Sequence, residues 1–230
     1  MEEHYSVAID GPSGAGKSTI ARAAAKRFGF LYVDTGAIYR TVGLAAERAG
    51  IALGDAAAVS AMLPGLEVSL GYGDGGEQRS WLNGEDVTGY IRTPEISRRA
   101  SDVSAMPCVR AYLLDMQRAL ANEHSVIMDG RDIGTVVLPK ADVKIFLTAS
   151  AVCRAERRYK ELRAAGSDVT LESVIHDMTE RDEHDTKRTA APLTVAEGAV
   201  VVDTSALTLD ESIDAVVKVI SSKLGLNAHA

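Results

Sequence analysis

A chain of 230 residues, 46% hydrophobic and 25% charged, is long enough for one large α/β domain with insertions and too apolar to be disordered. Its formal net charge of −7 excludes a broad basic field, so neither nucleic acid nor an anionic membrane surface is an expected partner, and any basic cluster must be local. The start Met1-Glu2-Glu3-His4 is acidic, no apolar run is long enough to span a bilayer, and Cys108 and Cys153 lie far apart without metal-ligand spacing, which together suggest a cytoplasmic protein with buried, reduced thiols.

Tyr5 to Ile9 is a short apolar run suited to a buried strand, and Ile20 to Phe28 has few helix breakers before Gly29 stops it. Between them stands Gly11-Pro12-Ser13-Gly14-Ala15-Gly16-Lys17-Ser18-Thr19, which fits the pattern of a phosphate-cradling loop in its expected strand–helix context. Glycines let the backbone turn its N–H groups inward, and the following helix adds the positive end of its dipole. Lys17 is placed to reach the β- and γ-phosphates of a nucleoside triphosphate, and the Ser18 hydroxyl to ligate Mg²⁺. A glycine-rich turn matching by accident is the bland alternative, which the flanking strand and helix disfavour.

Phe30 to Val33 reads as a second strand, and Asp34 to Arg40 leads into an Ala-rich helix ending near Gly50. Ligands of open parallel sheets bind beyond the carboxyl ends of strands, so Arg40 can point at a substrate phosphate. From about Leu53 to Arg92 the rhythm breaks. Short apolar runs at Leu66 to Leu70 and Ser80 to Leu82, separated by Gly71, Gly73, Asp74, Gly75 and Gly76, predict a small antiparallel β-insert. Thr93 and Pro94 form a helix start, and Pro107 punctuates a second helix with Val109, Leu113, Met116 and Leu120 on one apolar face. Ser125 to Asp129 and Val143 to Leu147 are the next strands, each ending at polar residues. Ser150 to Arg188 is helical and charge-rich, with a turn at Gly166-Ser167. Ala199 to Asp203 supplies a fifth strand, and the capping box Thr208-Leu209-Asp210-Glu211 opens a last helix with Leu209, Ile213, Val216, Ile220 and Leu224 on its buried face. Five strands alternating with helices predict an α/β fold: a five-stranded parallel sheet of the P-loop NTPase type, covered by helices on both faces, with a β-insert and a helical lid.

Arg154, Arg157 and Arg158 share one helical face, with a solvated face balanced by Glu156 and Glu161 as the bland alternative. Arg181, Asp185 and Arg188 share similar spacing, and there the alternative is a pair of exposed salt bridges worth at most about 1 kcal/mol each. A phosphate loop in the same chain shifts the balance, because phosphoryl transfer depends on positioning and on cations spread over the transferring group. The segment is therefore expected to close over the site and exclude water. Asp129, at a strand end, is a candidate to hold Mg²⁺ or its waters, or alternatively to pair with Arg131. His4, His124, His176, His184 and His229 show no pairing that suggests a general base or a metal site, and no nucleophile–base arrangement appears.

With these residues in place the chain resembles the nucleoside monophosphate kinases, and within them the bacterial cytidylate kinases. The resemblance runs nearly end to end. It rests on Ile9 to Thr19, Asp34 to Arg40, Leu82-Asn83-Gly84-Glu85-Asp86-Val87-Thr88, Asp129-Gly130-Arg131-Asp132-Ile133-Gly134-Thr135, and Arg181-Asp182 through Asp185 to Arg188. It implies a monomer that passes the γ-phosphate of ATP to CMP or dCMP with Mg²⁺. It also implies a core over 1–52, 106–149 and 189–230, an acceptor-binding insert over 53–105, and a lid over 150–188. By the same resemblance Lys17, Arg131, Arg181 and Arg188 are catalytic, and Gly11 to Thr19 with Arg154, Arg157 and Arg158 bind ATP. Arg40, Arg131 and Arg188 hold the CMP phosphate, Arg181 and Asp185 the sugar, and Thr35, Ser101, Arg110 and Asp132 the base; the metal falls to Ser18 and Asp129. The family usually has Ser where this chain has Thr35, so the hydroxyl is kept and a methyl is added. Rival readings are a UMP kinase, a small-metabolite kinase acting on shikimate or gluconate, and a GTPase switch. The switch lacks its Asn-Lys-x-Asp guanine reader, and Asp86-Val87-Thr88-Gly89 imitates a switch motif only inside the insert.

Overall fold

The computed structural model describes residues 4–73, 76–164 and 166–228. Asp74 and Gly75 of the glycine-rich turn, His229 and the acidic start up to Glu3 lie outside the described residues. The elements open with β1 (Ser6–Asp10), α1 (Lys17–Phe28), β2 (Leu31–Asp34), α2 (Thr35–Arg48) and α3 (Ala56–Met62). Then come β3 (Val68–Tyr72), β4 (Gln78–Leu82), β5 (Glu85–Asp86), α4 (Pro94–Ser104) and α5 (Pro107–Glu123). The chain closes with β6 (Val126–Gly130), β7 (Val143–Thr148), α6 (Ala151–Ala164), α7 (Leu171–Lys187), β8 (Val200–Asp203) and α8 (Leu209–Leu224). A π turn spans Ile133–Val137. The chain divides into two compact units, Met1–Tyr32 with Ala121–Ala230, and Val33–Leu120.

The first unit is built on the expected five-stranded parallel sheet, in the order β2-β6-β1-β7-β8. β1 lies between β6 and β7 and pairs parallel with both, Ile9 standing opposite Asp129 on one side and Ile145 on the other. Parallel pairing puts the carboxyl ends of β1, β6 and β7 on one edge, where the chain order reverses and ligands of such sheets bind. The core beneath that edge packs Val7, Ile9, Ile127, Ile145 and Leu147 of the sheet against Ile20 and Ala24 of α1 and Val216 and Ile220 of α8. The Thr208–Glu211 capping box forms in full. Leu209, expected on the buried face of α8, is 52% exposed, because it opens the first turn ahead of the stripe that begins at Ile213. Met178, Val174 and Ala155 give α6 and α7 a small core of their own.

The second unit holds α2 to α5 and the antiparallel sheet β3-β4-β5. The two-residue β5 escaped the sequence pattern because it is too short to show alternation. Thr93 caps α4, its hydroxyl accepting from Ile96 N, with Pro94 in the first turn as expected. α2 and α4 come together at Gly43, where a Cβ would lie 3.0 Å from Ala100 N, so a larger residue would push the helices apart. On α5, Val109 and Leu113 are buried as expected, but Met116 and Leu120 are only half-buried. Gln117 completes the stripe instead, its Nε2 donating back to Leu113 O at 3.1 Å. Cys108 and Cys153, expected buried, are both half-exposed free thiols.

Candidate active site

The chain leaves β1 through Gly11 at φ 154°, where a Cβ would run into the carbonyl oxygen of Leu147 on the neighbouring strand. Glycine is the only residue that fits. Gly16, at φ 83°, precedes α1 without a side-chain cap, and the first turn carries no acidic residue, so the amides of that turn stay available to an anion. Lys17 is buried and its Nζ donates to Pro12 O at 2.7 Å. Burial and then the neighbouring Arg131 charge push its pKa down to about 7, against the pull of Asp129 and Asp185. Ser18 Oγ donates to Asp129 Oδ2 at 2.9 Å, and the Tyr32 hydroxyl donates to Asp129 Oδ1 at 2.9 Å. One hydroxyl and one carboxylate thus converge at the loop, both hard oxygen donors of the type Mg²⁺ takes.

Helices α6 and α7 meet this loop with charge. Arg154 is buried; its Nη1 donates to Ser13 O at 2.9 Å and to Asp182 Oδ2 at 2.6 Å. Asp182 Oδ1 in turn accepts from Ser13 N at 3.4 Å. Arg157 instead clamps the turn after β8, donating to Thr204 Oγ1 at 3.1 Å and Thr204 O at 2.8 Å. Only Arg158, paired with Glu161 at 3.2 Å and exposed, fits the solvated-face alternative.

Beyond β6 a second knot forms. Arg131 Nε donates to Asp185 Oδ2 at 2.7 Å, Arg188 Nη2 lies 3.5 Å from Asp132 Oδ1, and Arg188 Nη1 lies 3.9 Å from Asp185 Oδ1. Asp132, Asp185 and Arg188 are buried, so these are not the exposed salt bridges of the bland reading. Burial alone would raise Asp185, but the charges of Arg131, Arg181 and Arg188 and the Arg131 hydrogen bond outweigh it and hold its pKa below the usual carboxylate range. Arg181 acts on Lys17 and Asp185 alike, which places it with the same group.

In the second unit, Asp34 caps α2: Oδ1 accepts from Ala37 N at 2.9 Å and Oδ2 from Arg40 Nη2 at 2.8 Å. The Arg40 Nε is buried with no hydrogen-bond partner among the described residues. Thr35, the first residue of α2, is buried. Gln78 on β4 holds this corner from behind, accepting from Asp34 N at 2.8 Å and donating to Asp34 O at 3.3 Å. Arg110 stacks on the Tyr39 ring at 5.6 Å and donates to Ser104 O at 3.1 Å, while Ser101 O accepts from the Ser104 hydroxyl.

Sequence reasoning missed Tyr32, Asp182 and Gln78, whose partners lie 97, 169 and 44 residues away, a separation that no local pattern reports. Among the described residues, His176, Asp177 and Glu180 form an exposed group on α7 close enough together to share a cation. Among the described residues no helix is long and apolar enough to cross a membrane.

A phosphate loop at the switch point of a parallel sheet, with Arg154 of α6 bonded to its Ser13 carbonyl, is the arrangement of a phosphate-loop kinase. A family model for cytidylate kinase matches residues 7–222, and the chain belongs to that family. It is 45% identical over 224 residues to the cytidylate kinase of Desulfitobacterium hafniense, spanning 97% of this chain and 96% of that one. With the cytidylate kinase of Geobacter sulfurreducens it shares 50% over 208 residues, 90% of this chain and 89% of the other. Among solved structures, an uncharacterised protein from Eubacterium ventriosum superposes with a TM-score of 0.50 at 11% identity, covering 95% of this chain and 99% of that one, a likeness of fold alone.

Proposed function

We propose that the protein transfers the γ-phosphoryl group of ATP to CMP or dCMP, giving ADP and CDP or dCDP. The observation that carries this is the position of Arg131 and Asp132 directly after β6, one strand from the phosphate loop, with Asp185 and Arg188 of the lid gathered on them. The loop Gly11 to Thr19 holds the donor phosphates, and Arg154 leaves Asp182 to reach them. Arg157 and Arg158 join the donor side by the family resemblance. Ser18 and Asp129 would hold Mg²⁺, whose charge offsets that of the phosphates. Lys17, Arg131, Arg181 and Arg188 spread positive charge over the group in flight.

For the acceptor, Arg131 and Arg188 take the CMP phosphate, and Arg181 and Asp185 the sugar. By the family resemblance Arg40, whose Nε has no hydrogen-bond partner among the described residues, serves the phosphate, while Thr35, Ser101 and Arg110 serve the base. Asp132 accepts from the cytosine N4 amine; uracil offers a carbonyl there, leaving a buried carboxylate facing an acceptor at a cost of roughly 1–3 kcal/mol or more. Residues 53–105 act as the acceptor-binding insert, 150–188 as the lid, and the rest of the chain as the core. The protein works as a cytoplasmic monomer.

The test is a panel of nucleoside monophosphates, with ADP formation from MgATP as the readout. CMP and dCMP should give the fastest rates, UMP slower and AMP slowest, and Asp132→Ala should narrow the gap between CMP and UMP. Equal rates with AMP, or no CMP-dependent ADP, would sink the assignment.

A further inference from the structure

The π turn Ile133–Val137 begins with N–H groups that no residue of the turn itself can satisfy. Asp132 occupies the cap position, and an aspartate there ordinarily accepts with its own side chain from the second or third of those N–H groups, here Gly134 or Thr135. Here it makes no such capping bond. Asp10, the last residue of β1, takes its place: Oδ1 accepts from Ile133 N at 2.8 Å and Oδ2 from Gly134 N at 2.7 Å, across more than a hundred residues. The fit is close, since a Cβ on Gly134 would lie 3.3 Å from Asp10 Oδ2 and 3.2 Å from Ala196 Cβ. Asp10 is buried and otherwise unused by the chemistry above.

We propose that Asp10 is a positioning residue that caps the Ile133 turn in place of Asp132, so that the Asp132 carboxylate is turned to the acceptor base instead of folding back on its own backbone. The inference rests on the reading of Asp132 as the base reader. It assigns one carboxylate two loops to hold: Asp10 directly precedes Gly11 of the donor loop and, through two hydrogen bonds, fixes the backbone that carries Arg131 and Asp132. Without Asp10 the orphaned N–H groups compete for the Asp132 side chain, and base selectivity is lost while the donor loop, built on Gly11 and α1, persists.

The groups facing Asp10 are Lys17 from α1, Asp132 from the turn and the Lys144 stem of β7, which passes 3.4 Å from the Gly134 Cβ position. Burial raises the Asp10 pKa to about 6, its two N–H partners and Lys17 opposing the rise and Asp132 adding to it. Below that value one oxygen becomes an O–H donor set against an N–H donor, so the turn loosens in acid.

The experiment compares Asp10→Asn and Asp10→Ala with Asp132→Ala, measuring kcat/KM for CMP and for UMP and KM for ATP. Asn keeps the shape but offers one acceptor, and Ala offers none. The CMP-to-UMP preference should fall by roughly tenfold in Asp10→Ala, less in Asp10→Asn, with KM for ATP unchanged. If Asp132→Ala loses selectivity and both Asp10 variants keep it, the positioning role is overturned and the base reader stands. If Asp132→Ala keeps its selectivity, the base reader falls and this inference with it. Amide hydrogen exchange on the unaltered protein guards against variants that do not fold. Ile133 and Gly134 should be protected above the Asp10 pKa and lose protection below it, while Val136, bonded to Asp132 O, does not. Absence of protection at Ile133 and Gly134 at neutral pH would also overturn the inference.

Discussion

Lys17→Ala is expected to lower kcat by about two to three orders of magnitude while leaving the protein folded. Both halves follow from the same geometry. Lys17 is held against the phosphate loop by Pro12 O, where on the proposed reading its charge would meet the phosphates during transfer. In the free protein that charge is opposed: burial and then the Arg131 charge push its pKa down to about 7. Removing the amine therefore takes away charge that the transferring group needs without breaking a pair that the fold needs. The check is steady-state kinetics beside a thermal melt. A near-normal rate would mean the loop is not the donor site, and a collapsed melt would mean that Lys17 is structural.

Arg131→Ala should do the opposite, costing activity and stability together. Its partner Asp185 is buried and would keep only the longer 3.9 Å contact to Arg188 and the charge of Arg181, so the loss should approach the roughly 3–5 kcal/mol of breaking a buried ion pair. On the proposed assignment the acceptor phosphate would lose its guanidinium at the same time, so kcat/KM for CMP should fall more than KM for ATP changes. The pH dependence has a definite sign. Asp185 titrates below the usual aspartate range in the fold despite its burial, because of Arg131, Arg181 and Arg188. Its stabilising contribution is thus complete above the unfolded aspartate range and disappears as pH falls through the lower folded value. Urea melts should show a large gap between variant and parent at neutral pH that narrows in acid; a gap that widens in acid would contradict the account.

The features legible in the sequence are those written locally. The strand, glycine loop and helix around Lys17, the Thr208–Glu211 capping box and the Thr93-Pro94 helix start each sit within a few residues of chain, and the structure has all three. The features that were not legible depend on distance in the fold. Nothing near Asp10 says that it caps a turn beyond β6, and nothing near Tyr32 says that its hydroxyl steadies Asp129. Spacing alone grouped Arg154, Arg157 and Arg158 on one helical face. The fold sends them to three places: the phosphate loop, the turn after β8 and solvent. Periodicity also misjudged the ends of helices, exposing Leu209 and burying Gln117, because a helical stripe says which side faces inward but not where the neighbouring layer stops. The acceptor half of the proposed site rests on resemblance, since arginines at strand ends specify an anion and not a nucleobase.

The most direct test follows the phosphorus itself. Phosphorus-31 spectra of the protein with MgATP and CMP should show ADP and CDP rising together in equal amounts, with inorganic phosphate negligible if the proposed arginine-bearing lid shields the donor from water. ADP and inorganic phosphate appearing without CDP would make the protein a hydrolase and contradict the assignment of Arg131, Asp132 and the lid to an acceptor nucleotide.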